Sequence, residues 1–595
     1  MRPTDYQELI DSAAYRQASR RVLRQLIEAL LFEHALRHCE WHGDALTVPG
    51  RGADGASVNY RCQAQRTFSF GRVRVTSPLS REPAGAPVEE AADPALFLAE
   101  IAPWLEADEA RLKQFAAELL ATQIKDAQTL HARGGRILRD ADYDTVEARL
   151  TDGHPYHPSY KSRLGFTLDD NAAHAPEMAT TVTPLLLAVR RNRCRWAFSP
   201  TADHAAAARA LLDDAGWQGF RDALVRRGAR LEDYLPLPVH PWQWEEVILP
   251  ACHQELARGE LVVIGEMAQR YLPQQSIRTL SNLDAPRQLS LKLAMNLVNT
   301  STSRVLAPHT VVNAPVISDW LQRLVTECTD WPEPLVRPVI LREVAGVSCT
   351  APAPVHGLYG AMSCIWRESV HSHLQPGEAA VPMTAVMHVD GDGRPFVDTW
   401  VKRYGAEKWL QRLVERAWLP VLHLLWQHGT ALESHAQNMI LLHEDGLPAR
   451  VALKDFHDGV RFCRDLLSAP PPALTAPPVE HARVNPNSFL EAGDADELRD
   501  FTFDALFFVS LAELAWVFAR FYDVAEERFW QITRDVLCAH QARHPQWAAR
   551  YALFDCLADE VAIEMLASRR FQPEIRLRTR LAPNPLAQAG KPRCA

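Results

Sequence analysis

The chain has 595 residues, of which 47% are hydrophobic and 23% are charged, a balance typical of a folded globular protein rather than a disordered one. This length exceeds what a single hydrophobic core spans, so we expect two or three domains. The formal net charge of −9 and the lack of a dense Lys/Arg block exclude nucleic acid and anionic membrane surfaces as general partners.

The N-terminal part of the sequence predicts helices on either side of a β region. Apolar residues recur every three or four positions over residues 6–37, which predicts one long amphipathic helix. Residues 60–75 alternate apolar and polar side chains, as half-buried strands do. A second helical block is predicted over residues 94–130.

The middle of the chain, residues 151–398, mixes short strands, turns and polar motifs. Helical periodicity returns over residues 407–429, where a glycine ends it. A Pro-rich loop at 469–478 interrupts the last third, and helices resume over 498–568. This order of elements predicts an α+β protein with three domains, at residues 1–145, 146–398 and 399–595.

Targeting signals are not apparent in the sequence. The N-terminus lacks the apolar segment of a signal peptide, and no run of about 18 uncharged apolar residues occurs. Eleven cysteines are scattered singly, without the spacing of a zinc or disulfide framework. We therefore expect a cytoplasmic protein with reduced thiols.

The most informative motif is Glu433-Ser-His435-Ala-Gln437-Asn438, which precedes two strand-like runs joined by an Asp-Gly turn. Asp455 follows the second run. Strand pairing would bring Asn438 and Asp455 to one rim, where their oxygens suit Mg²⁺ on nucleotide phosphates. Protein kinases have a similar layout, with an acidic residue five positions before the magnesium-binding Asn. The motif indicates ATP and magnesium, but it does not indicate which bond of ATP is broken.

A second constellation interleaves hydroxyls and amides with cations, and it is poor in carboxylates. Arginine holds carboxylate or phosphate groups bidentately, lysine acts as a point charge, and hydroxyls complete the coordination. We therefore predict an anion cradle, whereas Arg287, just after a proline, is expected to be a solvated turn residue. The cradle consists of Ser276, Arg278, Thr279, Lys292, Asn299, Thr300 and Arg304.

A third motif places His154 and His157, each followed by proline, before Lys161 and Arg163. A metal site at the two histidines is possible, but few further ligands lie near them in the sequence. We prefer contacts of His154, Lys161 and Arg163 with phosphate or substrate. In a fourth stretch, His240 and Trp242 are expected to be structural.

These strings, in this order and over nearly the whole chain, resemble the NRPS-independent siderophore (NIS) synthetases of the aerobactin-synthetase type. The resemblance rests on the motifs quoted above, together with Lys454-Asp455-Phe456. It implies a cupped hand of thumb, fingers and palm domains, with helical bundles and antiparallel sheets, that forms a homodimer. It also implies a ligase that adenylates a carboxylate of citrate or a related acid with ATP and Mg²⁺. An amine or alcohol, such as a polyamine, amino acid or amino alcohol, then attacks.

The resemblance also implies roles for the motif residues. His154, Ser276, Arg278 and Lys292 would contact the nucleotide phosphates. From the motifs themselves we also expect Lys161, Arg163, Thr279 and Asn299 in the same nucleotide site. Gln437 and Asn438 would bind ATP, and Glu433, Asn438 and Asp455 its magnesium. Thr300, Arg304 and His435 would contact the acid, and Lys292, Arg304 and His435 would be catalytic. A weaker hypothesis has His435 accept a proton from the incoming amine.

Several alternatives stay open at the level of sequence. The hairpin would equally suit a small-molecule kinase, the aromatic middle region would suit a non-catalytic carrier of ferric siderophore, and the same ligase chemistry could act on 2-oxoglutarate. The sequence does not identify the acid or the nucleophile. It also assigns no role to His457 and Asp458, which follow Asp455.

Overall fold

A computed structural model describes residues 3–199, 211–300, 302–327, 331, 335–349, 358–479, 481, 485, 488–573 and 577–590. Helices and antiparallel strands alternate along the chain, which confirms the α+β prediction.

The N-terminal region packs helices against an antiparallel sheet. The predicted single helix over 6–37 is wrong in one respect, because it is two helices. Ser12 interrupts it and caps the second helix, its side chain accepting a hydrogen bond from the Tyr15 N–H. The helices are Pro3–Asp11, Ala13–Phe32, Pro94–Ile101, Glu109–Arg133 and Tyr143–Arg149, and the strands are Glu40–His42, Ala45–Arg51, Ser57–Arg66, Val73–Val75, Ser80–Pro83 and Glu89–Glu90.

The middle region contains a three-stranded sheet of Leu261–Glu266, Leu185–Arg190 and Tyr234–Val239. Its six-stranded sheet runs in the order Tyr271–Pro273, Thr279–Asn282, Ser290–Leu293, Ser363–Arg367, Glu343–Cys349 and Cys194–Phe198. A short pair, Met295–Asn299 and Thr302–Arg304, continues from it. The separate helices here are Leu168–His174, Asp214–Arg226 and Pro308–Thr326. A further helical run consists of Pro241–Gln243, the π segment Trp244–Ile248 and Leu249–Ala257.

His240 and Trp242 have structural surroundings, as expected. His240 caps the helix that follows it, since its Nδ1 accepts the Trp242 N–H at 3.2 Å. Trp242 packs in a small hydrophobic cluster with Phe166 and Ile277. Arg287 is exposed, as predicted.

The C-terminal region is mainly helical. One continuous helical run consists of Ala406–Leu413, the π segment Val414–Trp418 and Leu419–His428. A second is Ala495–Phe521, which is π-helical over Phe503–Leu511. The other helices are Asp398–Tyr404, Glu526–Arg543, Ala548–Leu553 and Pro585–Gln588. Gly429 ends the first run with a φ of 68°, and residues 469–478 form no helix or strand. The strands are Thr430–Leu432 with Val460–Phe462, Glu560–Glu564 with Thr579–Pro583, and a sheet of Val339–Ile340, Leu447–Leu453, Met439–Glu444 and Glu378–Pro382.

The N-terminal and C-terminal regions share one hydrophobic cluster. The rings of Phe32 and Phe508 lie 4.7 Å apart within it. Phe508 belongs to the helix Ala495–Phe521, which is long and apolar enough to cross a membrane by composition. Its most apolar 18-residue window is 78% buried inside the protein, as expected of a core helix. This helix also forms one wall of the site described next.

Candidate active site

A cleft of about 1040 Å³ lies where the three regions meet. Its walls come from the helix Ala13–Phe32, the segment around His154, the middle sheet, the C-terminal hairpin and the helix Ala495–Phe521. Most of the residues that the sequence singled out line it: His154, Arg163, Ser276, Arg278, Lys292, Asn299, Thr300, Arg304, Glu433, His435, Gln437, Asn438 and Asp455. Three motifs that are far apart in sequence thus face one space.

The hairpin forms as its sequence predicts. Met439–Glu444 pairs antiparallel with Leu447–Leu453, and the turn residues Asp445 and Gly446 both have positive φ, which a tight two-residue turn requires. The Lys454 N–H donates to the Asn438 carbonyl at 3.0 Å. Asn438 and the residue after Lys454, Asp455, therefore lie at the same rim.

Asp455 carries the densest charge network of the cleft. Its Oδ1 accepts from Arg367 at 2.6 Å and lies 2.9 Å from the Lys292 Nζ. Burial opposes the charged carboxylate, but these cations outweigh burial and hold the pKa of Asp455 well below its usual value. Asp455 also has a φ of 67°, an uncommon backbone conformation for a residue other than glycine. The two cations therefore hold the Asp455 side chain in one position, on a backbone that is in the left-handed region.

Arg367 was missed by sequence reasoning. It is 2% exposed, and its second terminal nitrogen donates to Gln274 at 2.8 Å. It lies in the strand Ser363–Arg367, next to the strand that carries Lys292. The signal in the sequence was an arginine at the end of an apolar strand, but nothing local connected it to Asp455.

The anion cradle contains two half-buried arginines that have no carboxylate partner among the described residues. Arg278 donates to the carbonyls of Arg304 and Val305, and Arg304 donates to the Asn299 carbonyl. Among the described residues, no carboxylate lies within 4 Å of either guanidinium. Burial, and then the nearby Arg278, lower the pKa of Arg304 to about 9. Two guanidinium groups held this way favour a bound anion.

Two further features of the cradle suggest a ligand. The Asn299 side-chain oxygen is buried and has no hydrogen-bond partner among the described residues, so it is available to accept from a ligand. Thr300 has a φ of 61°, which is strained for a β-branched residue. The Thr300 carbonyl accepts from the Ser159 hydroxyl at 3.0 Å, which links the cradle to the third motif.

His154 and His435, two of the histidines that line the cleft, are uncharged near neutral pH. Burial lowers the pKa of His154 to about 3 and that of His435 to about 4. His154 Nδ1 accepts the backbone N–H groups of Tyr156 and His157. Its proton therefore lies on Nε2, so His154 is a hydrogen-bond donor there.

Three residues predicted to contact phosphate have other surroundings: two are paired with carboxylates inside the wall, and the Thr279 hydroxyl is buried without a hydrogen-bond partner among the described residues. The Lys161 Nζ is buried between Asp126 at 2.7 Å, Glu177 at 3.2 Å and the Thr151 carbonyl at 3.2 Å, which uses its three donors. The Arg163 guanidinium lies against both oxygens of Glu177. The Thr279 side chain is fully buried beside the cleft. Lys161 and Arg163 thus form a buried ion network that shapes the wall, because burying unpaired charge is costly.

The residues after Asp455, which sequence reasoning left unassigned, now have partners. His457 is held by Glu343, with 2.7 Å between its Nδ1 and a carboxylate oxygen. Asp458 lines the cleft and accepts from the Ser488 hydroxyl at 2.6 Å. Glu433 lies nearby, and burial raises its pKa to about 7. Because burial disfavours the charged form of Glu433, a cation bound beside it would stabilise the carboxylate.

Comparison with known families identifies the chain in two parts. Residues 142–388 match the IucA/IucC family. Residues 407–579 match a family described as ferric iron reductase FhuF-like transporter.

Two curated relatives match almost the whole chain. A Staphylococcus aureus protein named 2-[(L-alanin-3-ylcarbamoyl)methyl]-3-(2-aminoethylcarbamoyl)-2-hydroxypropanoate synthase is 36% identical over 98% of this chain and 95% of its own. A Bacillus anthracis citryl-spermidine/3,4-dihydroxybenzoyl-citryl-spermidine:spermidine ligase is 33% identical over 98% and 95%.

Solved structures have the same fold. Petrobactin biosynthesis protein AsbB from Bacillus anthracis superposes with a TM-score of 0.91 at 33% identity, covering 99% of this chain and 98% of that one. ATP-bound aerobactin synthetase IucA from Klebsiella pneumoniae superposes with a TM-score of 0.74 at 16% identity, over 95% of this chain and 99% of that one.

Proposed function

Because the chain belongs to the IucA/IucC family of siderophore synthetases, we propose that its cleft uses ATP to activate a carboxylate as an acyl-adenylate and joins it to an amine or alcohol. The protein is a ligase of siderophore biosynthesis, as its relatives are. Their names support citrate, or citrate that already carries one amide, as the acid. AMP and pyrophosphate are the expected by-products.

The observation that carries this proposal is the meeting of the anion cradle and the hairpin rim in one cleft. A carboxylate that attacks the α-phosphorus of ATP brings two anions together, so the site needs cations on both sides of the reacting atoms. Arg278 and Arg304 supply half-buried charge that has no carboxylate partner among the described residues, and Lys292 adds a buried cation beside Asp455. No nucleophilic side chain is required, because the substrate carboxylate attacks.

Lys292 has the properties of a phosphate contact. Burial lowers its pKa to about 8, while Asp455 favours the charged form. It therefore remains mostly protonated near pH 7, and a phosphate oxygen can replace Asp455 as its partner. The neutral His154 would donate its Nε2 proton to an anionic oxygen, and the neutral His435 is able to accept a proton from the attacking amine.

The hairpin rim fits magnesium. The second carboxylate oxygen of Asp455 and the amide oxygen of Asn438 form no hydrogen bond to a described residue, while the Asn438 amide nitrogen is held by the Glu433 carbonyl at 2.9 Å. Within the described ranges no three His, Cys, Asp or Glu residues form a metal cluster. Magnesium accepts this, since it takes few protein ligands and keeps water and phosphate oxygens. When bound, it would offset phosphate charge.

A matrix of acids against amines tests the proposal, with pyrophosphate release and hydroxamate trapping measured separately. We expect pyrophosphate with citrate or a citrate monoamide and amide formation only when an amine is added. Lys292→Met should lower activation at least 100-fold, whereas Lys402→Met, at a 65% exposed lysine, should not. Formation of ADP instead of AMP would support the kinase alternative. Failure to bind ATP would support the carrier alternative.

Other parts of the proposal rest on the sequence motifs and, for the dimer, on the family resemblance. We propose Mg²⁺ as the metal, a cytoplasmic homodimer as the working form, and the three-domain division at residues 145 and 398. Mass photometry at nanomolar concentrations would test the dimer, and limited proteolysis would test the domain boundaries.

A further inference from the structure

The cleft extends well beyond the cradle and the hairpin along the helix Ala495–Phe521. One face of this helix lines it, with Asp504 and Ser510 near the hairpin and Trp516 and Arg520 farther along. The Ser510 hydroxyl accepts the Ala436 N–H at 2.9 Å, which anchors the inner end beside His435. At 1.5 Å per residue, Trp516 lies about 9 Å and Arg520 about 15 Å beyond Ser510 along the helix.

The opposite wall is one face of the helix Ala13–Phe32. Gln17, Arg21, Arg24 and Gln25 on this face line the same cleft, at the spacing of successive helical turns. The Gln25 side chain donates to the His154 carbonyl at 2.9 Å, so this wall continues directly from the reaction site. We call the space lined by Gln17, Arg24, Arg74, Trp516 and Arg520 the outer lobe.

The floor of the outer lobe is electrically neutral. Arg74 lies 2.5 Å from Glu513 and 3.7 Å from Glu28, so it bridges the two walls and neutralises both sides. Arg72 adds a second guanidinium 3.7 Å from Glu513. The carboxylates of the floor are therefore matched by arginines and attract no further cation.

The rim of the outer lobe is cationic. Arg21 is committed to Asp126, at 3.7 Å. Arg24 and Arg520 are exposed, and in the part of the chain that the structure covers neither lies within 4 Å of a carboxylate. Trp516 lines the same lobe and is partly exposed, with the Arg74 guanidinium 5.6 Å from its ring. Two exposed guanidinium groups in one lobe attract a carboxylate on an extended arm and repel a polyamine.

We propose that the outer lobe binds the far arm of an elongated acid substrate, a polycarboxylic acid monoamide whose arm ends in a carboxylate. This inference rests on the proposed function, since the activated carboxylate occupies the cradle. The span from Ser510 to Trp516 and Arg520 corresponds to about three to four extended residues. Citrate alone is too short to reach both sites. The lobe is thus a specificity-determining site for the substituent already present on the acid.

The test uses the full-length protein and compares citrate with three citrate monoamides of equal arm length, ending in a carboxylate, a neutral amide or an amine. Pyrophosphate release with hydroxylamine as the acceptor gives KM and kcat for each. We expect a KM at least 10-fold lower for the carboxylate-ended arm than for the amine-ended arm. The double variant Arg24→Gln/Arg520→Gln should reduce this preference to within about two-fold, with the KM for citrate changed less than two-fold.

Two further variants separate charge recognition from loss of structure. Arg520→Glu should shift the preference towards the amine-ended arm, a gain that a misfolded protein cannot show. Arg16→Gln, at an exposed arginine on the same N-terminal helix but outside the cleft, should leave every KM unchanged.

The outcomes distinguish the two proposals. The outer-lobe assignment is overturned if the wild type does not discriminate among the three arms, or if the variants raise the KM for citrate as much as for the monoamides. If the wild type releases no pyrophosphate with any of the acids, the proposed function fails, and the outer-lobe assignment fails with it.

Discussion

Replacing Arg367 with glutamine is expected to weaken binding of magnesium–ATP, although Arg367 does not line the cleft. The wild-type Oδ1 of Asp455 has two cationic partners, Arg367 at 2.6 Å and Lys292 at 2.9 Å. Only Lys292 lines the cleft and is able to turn to a phosphate. Without Arg367, Lys292 would be the closest cation left to Asp455 and would be held there.

The magnitude follows from the contact that is lost. A hydrogen bond to a charged group contributes about 1.5–3 kcal/mol, and each factor of ten in affinity corresponds to about 1.4 kcal/mol. If that energy is withdrawn from the bound state, the affinity for magnesium–ATP falls about 10- to 100-fold. Arg367→Lys keeps the charge but loses the second contact, to Gln274. Its affinity for magnesium–ATP should lie between those of the wild type and Arg367→Gln.

Isothermal titration calorimetry with a non-hydrolysable ATP analogue, with and without Mg²⁺, measures this directly. The metal-free affinity should fall as well, because Lys292 would contact the phosphates with or without the metal. Arg342→Gln is the matched control. Arg342 does not line the cleft, and its guanidinium pairs with the Glu368 carboxylate at 2.6 Å. The explanation is refuted if Arg367→Gln binds magnesium–ATP within two-fold of wild type, or if its affinity for metal-free ATP is unchanged.

Three other expectations come from single sites. Gly459→Ala would place a Cβ 2.5 Å from the carbonyl oxygen of Asp455. It should therefore lower nucleotide affinity at least 10-fold in the same titration. Gly219→Ala, with open space around the added Cβ, should leave the affinity unchanged. Lys161→Met should cost about 3–5 kcal/mol in urea unfolding, because it leaves a buried carboxylate unpaired; unchanged stability with a selective loss of ATP binding would instead restore a phosphate role. Burial lowers the pKa of His540 to about 4, below its unfolded value of about 6.5, so the unfolded state binds more protons between these values. Stability should therefore fall as pH drops from 6.5 to 4, by at most about 1.4 kcal/mol per pH unit for this group, and urea unfolding of His540→Phe should show a shallower slope.

The sequence by itself determined the local features of the site. The Asp445-Gly446 turn and the apolar runs on either side define the hairpin, so the rim that joins Asn438 to Asp455 was predictable. The break at Ser12 was a local signal too, since serine is a favoured helix cap, and the periodicity alone concealed it. Turn chemistry and helical periodicity depend on residues that are close together in the chain. They can therefore be predicted from the sequence without knowledge of the tertiary fold.

Only the tertiary structure decided which charges remain available for a ligand. Lys161 and Lys292 look alike in the sequence, yet Asp126 and Glu177 enclose the first, while the second shares Asp455 with Arg367 and lines the cleft. These partners lie between 16 residues (Glu177) and 163 residues (Asp455) away along the chain, and burial makes each pairing energetically decisive. The outer lobe is likewise formed by the first and last thirds of the chain, because the face that a helix presents to a cleft depends on what packs against its other side.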